Sequence, residues 1–170
     1  IESLLTNTSD NYTNWDYDFT LPIWDSDGQD YIITVLAYDN AFKVNNSNSD
    51  TITVTKDSDG PSIGTGAITS PSNWEIYSWW DNITIHWTSW IITDSVSWLA
   101  TNPIKLEYFD GSSYNLIVDR IWNSGTYVWN TIPSIDTNNA RVRITSTDNA
   151  WNESFQNSDN FSIDSTNPSI

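Results

Sequence analysis

Short runs in which Val, Ile, Thr, Tyr and Trp alternate with polar residues recur along the whole chain, separated by Gly, Pro, Asn, Asp and Ser. Such runs predict half-buried strands, because successive side chains of a strand point to opposite faces. Almost nothing carries the spacing of an amphipathic helix. In the second part of the chain strands are expected over 67–70, 82–88, 103–109, 114–120, 125–131, 140–147 and 160–164. Ile83, Ile85 and Trp87 share one face of the second; Ile104, Leu106 and Tyr108 share one face of the third; Val142 and Ile144 do so in the sixth. By the same alternation Trp87, Trp129 and Trp24 read as core, and His86 points outward. Seven such strands with turn signals between them predict one antiparallel two-sheet sandwich over 64–165. Asp110-Gly111 marks a hairpin inside it.

The first part of the chain repeats the end of that pattern. Tyr38-Asp-Asn-Ala41 answers Thr147-Asp-Asn-Ala150, and Asp50-Thr-Ile-Thr-Val54 answers Asp159-Asn-Phe-Ser-Ile163, both 109 residues later. Gly60-Pro-Ser-Ile63 answers Asn167-Pro-Ser-Ile170, 107 residues later. Repeats of domain length joined head to tail predict beads on a string. In this register residue 1 falls near Ser112, so 1–60 carries only the last strands of a sandwich, near 3–6, 15–21, 31–38 and 51–55. Residues 61–170 form a complete repeat that ends in the next linker. A half-sandwich exposes its core and is unstable alone. The missing strands are expected from earlier in the same polypeptide or from another molecule.

The string Asp27-Gly-Gln-Asp-Tyr-Ile-Ile-Thr-Val-Leu-Ala-Tyr-Asp-Asn-Ala41 resembles the penultimate strand of prokaryotic immunoglobulin-like surface repeats. Ile83-Thr-Ile-His-Trp87 is similar to the Trp-bearing second strand of fibronectin type III modules. Asp57-Ser-Asp-Gly-Pro-Ser-Ile63 and Asp164-Ser-Thr-Asn-Pro-Ser-Ile170 resemble the joints between such repeats. The resemblance covers essentially the whole chain. It implies an all-β protein of tandem immunoglobulin-like antiparallel β-sandwiches, the first represented only by its C-terminal strands. It departs from the family where Phe42 and Trp151 replace a turn glycine, and where Ala140 stands opposite Tyr31, a candidate for a corner hydrogen bond.

Charge narrows the function. With 22 acidic against 6 basic residues the net charge is -16, which repels nucleic-acid phosphates and anionic membrane surfaces and favours divalent cations or basic partners. Yet the chain holds 11 tryptophans, so it has the apolar material to fold. It has no cysteine, hence neither disulfide nor thiol chemistry. No apolar run reaches the roughly 20 residues of a membrane helix. With no initiating Met and no signal peptide, the chain is expected to be a piece of a longer polypeptide whose targeting and anchoring segments lie elsewhere.

Catalytic constellations are weak. His86 is the single histidine and has no Cys or second His to join it. Acidic pairs such as Asp16/Asp18 lack an apolar wall that would tune an acid. The expectation is therefore a non-enzymatic protein. Calcium is the candidate cofactor. Asp25, Asp27 and Asp30 echo one arm of a calcium loop but lack its bidentate Glu, while Asp57 and Asp59 at the joint can be completed by a turn carboxylate such as Asp39 or Asp148. Turn chemistry alone also selects Asp, Ser and Gly at these places. N-glycosylation sequons stand at Asn7, Asn11, Asn45, Asn82, Asn152 and Asn160, at about the frequency chance gives for this composition. Trp79, Trp80, Trp90, Trp98 and Trp151 fall in loops. They read as a loop folded over the sandwich end, as an interface with neighbouring repeats or other copies, or as a platform for surface glycans. The expected role is a structural or adhesive segment of an extracellular, cell-surface protein; the alternative is a carbohydrate-binding or spacer module of a secreted enzyme.

Overall fold

The computed structural model describes residues 20–36, 41, 43 and 50–167. Its strands are β1 (Asp30–Val35), β2 (Asp50–Thr55), β3 (Ser62–Ile63), β4 (Ile68–Ser70), β5 (Ile76–Tyr77), β6 (Ile83–Trp87) and β7 (Ile92–Thr93), then β8 (Leu99–Phe109), β9 (Tyr114–Ile121), β10 (Thr126–Trp129), β11 (Thr137–Asp148), β12 (Glu153–Asn157) and β13 (Phe161–Ile163). The 3-10 turn Ser89–Ile91 is the one helical element among the described residues. The chain is all-β.

From β4 onward the strands form two sheets, except that β7 pairs with β3 in a separate two-stranded ribbon. One has the order β10-β6-β4; the other runs β5-β13-β11-β8-β9, with β12 also paired to β11. Their inner faces share one buried cluster. Ile83, Ile85, Trp87 and Trp129 enter it from the first sheet; Ile104, Leu106, Val142, Ile144, Phe161 and Ile163 enter it from the second. The period-two pattern decides these positions: in β6 the alternate residues Ile83, Ile85 and Trp87 are buried while His86 is exposed. Each fully buried aliphatic side chain contributes about 1.5–3 kcal/mol relative to an exposed one. Trp87 also buries a polar N–H, which donates to Asn123 Oδ1 at 2.7 Å, and the Asn123 amide donates in turn to Ser89 O at 3.1 Å.

β11 changes partner along one edge. Its first residues pair with β13 and its later ones with β12. Between the two, Ser158 closes the gap: its hydroxyl accepts from Val142 N at 2.9 Å and its own N–H donates to Val142 O at 2.7 Å. On the outer face the guanidinium of Arg143 lies 3.4 Å from the Tyr114 ring centroid and 4.4 Å from that of Phe155. Arg141 and Arg120 stack on Phe109 and Trp151. Each of the three arginines of the chain thus lies over an aromatic ring.

Several expectations are corrected. The unit after the linker has more than seven strands, because β3, β5, β7 and β12 are added. β12 was invisible to periodicity: only Phe155 is apolar in Glu153–Asn157, and it is exposed, so backbone pairing with β11 holds this strand. One pairing, β5 with β13, is parallel. Glu75 sets it up, accepting from Ser72 N at 2.7 Å and from the Tyr77 hydroxyl at 3.0 Å. Trp24 is 82% exposed, since it occupies a turn where strand alternation has no meaning. In the first unit β1 and β2 match two expected strands; those over 3–6 and, apart from its last two residues, 15–21 lie outside the described residues. Residues 20 and 21 are not in a strand. The turn at Asp110 is a four-residue loop. Its carboxylate accepts from the backbone N–H of Ser113 at 2.8 Å and of Ser112 at 2.7 Å, from both serine hydroxyls, and from the Asn115 amide.

Two outcomes follow from these contacts. Asn123→Ala leaves the Trp87 N–H buried without an acceptor, at a cost of about 1–3 kcal/mol. Thermal unfolding is expected at a temperature lower by several degrees, and an unchanged midpoint would mean that water replaces the bond. The Ser113 backbone bond, then the Ser112 contacts, hold the Asp110 carboxyl well below the usual carboxylate range. A lowered folded-state pKa stabilises above the unfolded value and is lost as pH falls through the folded one. Asp110→Asn is therefore expected to lower the melting temperature at pH 7, with the gap to wild type narrowing below about pH 4.

Candidate metal centre at the linker

The segment after β2 must pass from one strand pair to the next sheet unit, and both of its flanks are tied. On the β1–β2 side Gly28 N donates to Lys56 O at 2.9 Å and Lys56 N to Gln29 O at 2.9 Å. The Lys56 ammonium donates to Asp25 O at 2.7 Å, and Ser58 donates its N–H to Asp27 Oδ1 at 2.7 Å. On the other side the linker lies against the β11–β12 turn. Asn152 Nδ2 donates to Asp57 O at 3.4 Å. At Gly60 an added Cβ would sit 2.7 Å from Glu153 O and 2.7 Å from Ser154 Oγ, so the two backbones touch there only because residue 60 has no side chain.

Three carboxylates meet at this junction. Asp57 comes from the linker, Asp94 from the loop after β7, and Asp148 from the end of β11; one oxygen of each lies within 4.8 Å of the others. Asp94 is held by its own loop, its Oδ1 accepting from the N–H groups of Val96, Ser97 and Trp98 at 2.9–3.0 Å. That wrap places Trp98 at φ 66°, a left-handed conformation that costs a non-glycine residue about 1–2 kcal/mol. Asp148 is 1% exposed and accepts from Asn152 N at 2.9 Å and Asn152 Nδ2 at 3.0 Å. The two loops are stitched by Asn149, which donates from N to Trp98 O at 3.0 Å and from Nδ2 to Ser97 O at 2.8 Å.

Asp57 differs from its two neighbours. Both of its carboxylate oxygens are buried, each with under 1 Å² accessible, and neither has a hydrogen-bond partner. Ser97 Oγ, in the loop that presents Asp94, is likewise buried and unpartnered. Buried polar groups in native proteins are nearly always satisfied, so an orphaned carboxylate calls for a missing partner. Full charges at the 4.8 Å limit repel by about 3.5 kcal/mol per pair at an effective dielectric of 20. The donor set is oxygen only, with no His or Cys, and suits a hard divalent cation.

The expected site residues separate. Asp57 belongs to this centre and Asp148 completes it, as the turn carboxylate named from sequence; Asp39 lies outside the described residues. Asp59 is exposed and does not join. Asp25, Asp27 and Asp30 are not gathered: Asp25 accepts from the Tyr31 hydroxyl, Asp27 from Ser58, and Asp30 from Thr55 Oγ1 at 2.6 Å. The bond to Asp25 pushes the Tyr31 hydroxyl up to about 12. Asp94 was missed, because it sits between apolar runs read as a covering loop; the only trace in sequence is its place ahead of Ser95-Val-Ser97.

Among the sequons Asn7, Asn11 and Asn45 lie outside the described residues. Asn82 and Asn160 are exposed. The Asn152 amide is committed to Asp57 O and Asp148, so a glycan there would displace both bonds. Trp79, Trp80, Trp90, Trp98 and Trp151 are 49%, 62%, 80%, 71% and 72% exposed, and Trp74 and Trp122 join them. All seven lie in turns or loops, none on a strand face. No protein-family model matches the chain, and no curated protein matches it.

Gly60→Ala tests the docking of the linker. The forced separation from Glu153 O is expected to cost about 1–3 kcal/mol, with faster hydrogen exchange confined to the linker and the β11–β12 turn. Full protection of those amides in the variant would show that the linker is not held there.

Proposed function

We propose that this chain is a structural or adhesive segment of an exported cell-surface protein, built from tandem immunoglobulin-like repeats and acting in a surface layer, stalk or fibre. The observation that carries this reading is the recurrence of one strand pair. The sequence repeat sets β1 against β11 and β2 against β13. In each copy those two strands are antiparallel neighbours. Tyr31 pairs with Val54 in the first, and Ala140 pairs with Phe161 in the second, a slip of two residues that keeps the facing at this pair, with a register shift between Ala140 and Thr137. Strand order adds support. Of the seven main strands, the first, second and fifth (β4, β6, β10) share one sheet and the third, sixth and seventh (β8, β11, β13) the other, as in immunoglobulin-like sandwiches. No residue of β1 or β2 is fully buried, in keeping with a first unit that is completed by further strands. In this reading 1–60 is the end of one repeat and 61–170 a whole one, and neighbouring repeats or other copies of the protein are the partners.

The second reading, a carbohydrate-binding module of a secreted enzyme, is favoured by the many exposed tryptophans, since sugars stack on such rings. Their placement in separate turns rather than in a row along a strand favours contacts between repeats or copies instead.

An antibody raised against this chain is expected to label intact cells of the source organism. Labelling that requires permeabilised cells would contradict a surface location. In parallel, retention on an insoluble-polysaccharide column that is lost with Trp79→Ala, Trp80→Ala or Trp90→Ala would move the reading to the second.

A further inference from the structure

We propose that Asp57, Asp94 and Asp148 form a calcium site that clamps the linker onto the loops at the end of the sheet unit. The acidic cluster alone would not carry this. The independent observation is Asp57, whose two carboxylate oxygens are both buried and both unpartnered while aimed at the other two carboxylates. A linker aspartate with its carboxylate in water would satisfy itself; one whose two oxygens are both out of water and unpaired calls for a ligand at the junction.

The ion is identified by charge, donor type and spacing. Three carboxylates offer a triple negative charge and oxygen donors only, which selects hard divalent cations over zinc or copper. Oxygens that share one ion are separated by no more than twice the metal–oxygen distance. The three donor oxygens all lie within 4.8 Å of one another, close enough for one ion to draw them together. Calcium also tolerates irregular oxygen shells, so the remaining positions suit water or carbonyl oxygens. The three donors come from three separate segments, and a bound ion therefore ties the linker to the loop after β7 and to the end of β11 at once.

The clamp stands apart from the cell-surface reading, which survives if no ion binds. Its test is the melting temperature of the full chain in chelator, in 5 mM calcium and in 5 mM magnesium, joined to hydrogen exchange of residues 56–61. Calcium is expected to raise the midpoint by about 2–9 °C over chelator, for a site of roughly 0.1–1 mM affinity, and to slow exchange in the linker. Asp57→Asn and Asp94→Asn are expected to abolish the calcium shift while melting in chelator no lower than wild type, because each removes one repelling charge. Asp119→Asn, on the exposed edge strand β9, keeps the shift. No calcium shift, an equal shift with magnesium, or a shift that survives in Asp57→Asn overturns the proposal.

Discussion

Like charges crowded out of water are the constraint on which the junction in this protein depends. Asp57, Asp94 and Asp148 bring three carboxylates together in a chain that already carries 22 acidic residues against 6 basic ones. Around this point the backbone is arranged at some expense: Trp98 and Trp151 take left-handed conformations, and Gly60 lets the linker touch the start of β12. Such strain persists only where the surroundings over-determine it. The three aspartates therefore link the acidic composition of the chain to the position of the linker.

Beneath the junction the two-sheet unit rests chiefly on a buried apolar cluster. Without disulfides its stability comes from the cluster around Ile83, Ile85, Trp87, Ile104, Val142 and Phe161. The core also fixes the site. Val142 and Ile144 point inward from β11, and the same strand, after a register shift past Ser146, carries the buried Asp148 at its end. Tying a functional side chain to a packed strand limits its freedom far more than a loop would. Asp94 achieves comparable order by another route, with three backbone N–H groups closing on one oxygen.

Much of this was legible in the alternation of side chains, because a strand with one buried face writes its period into the sequence. Ile83, Ile85, Trp87, Val142 and Ile144 are buried as that period requires. Strands held by backbone pairing without an apolar face, such as Glu153–Asn157, leave no such mark. Trp24 shows the converse error, a large apolar residue in a turn that alternation wrongly placed inside. At the site, Asp57 and Asp148 were visible because turn and joint motifs expose their aspartates to a reader of sequence. Asp94 was not, since its role comes from a loop folding back across the chain rather than from any local pattern. Asp25, Asp27 and Asp30 have the spacing of ligands but spend their oxygens on Tyr31, Ser58 and Thr55.

The most direct measurement is anomalous diffraction from crystals of the full chain grown with calcium. The account predicts one anomalous peak between the carboxylates of Asp57, Asp94 and Asp148, with oxygen distances of about 2.3–2.6 Å. Clear density for all three side chains with no peak among them, or with the Asp57 carboxylate turned out to solvent, would contradict it.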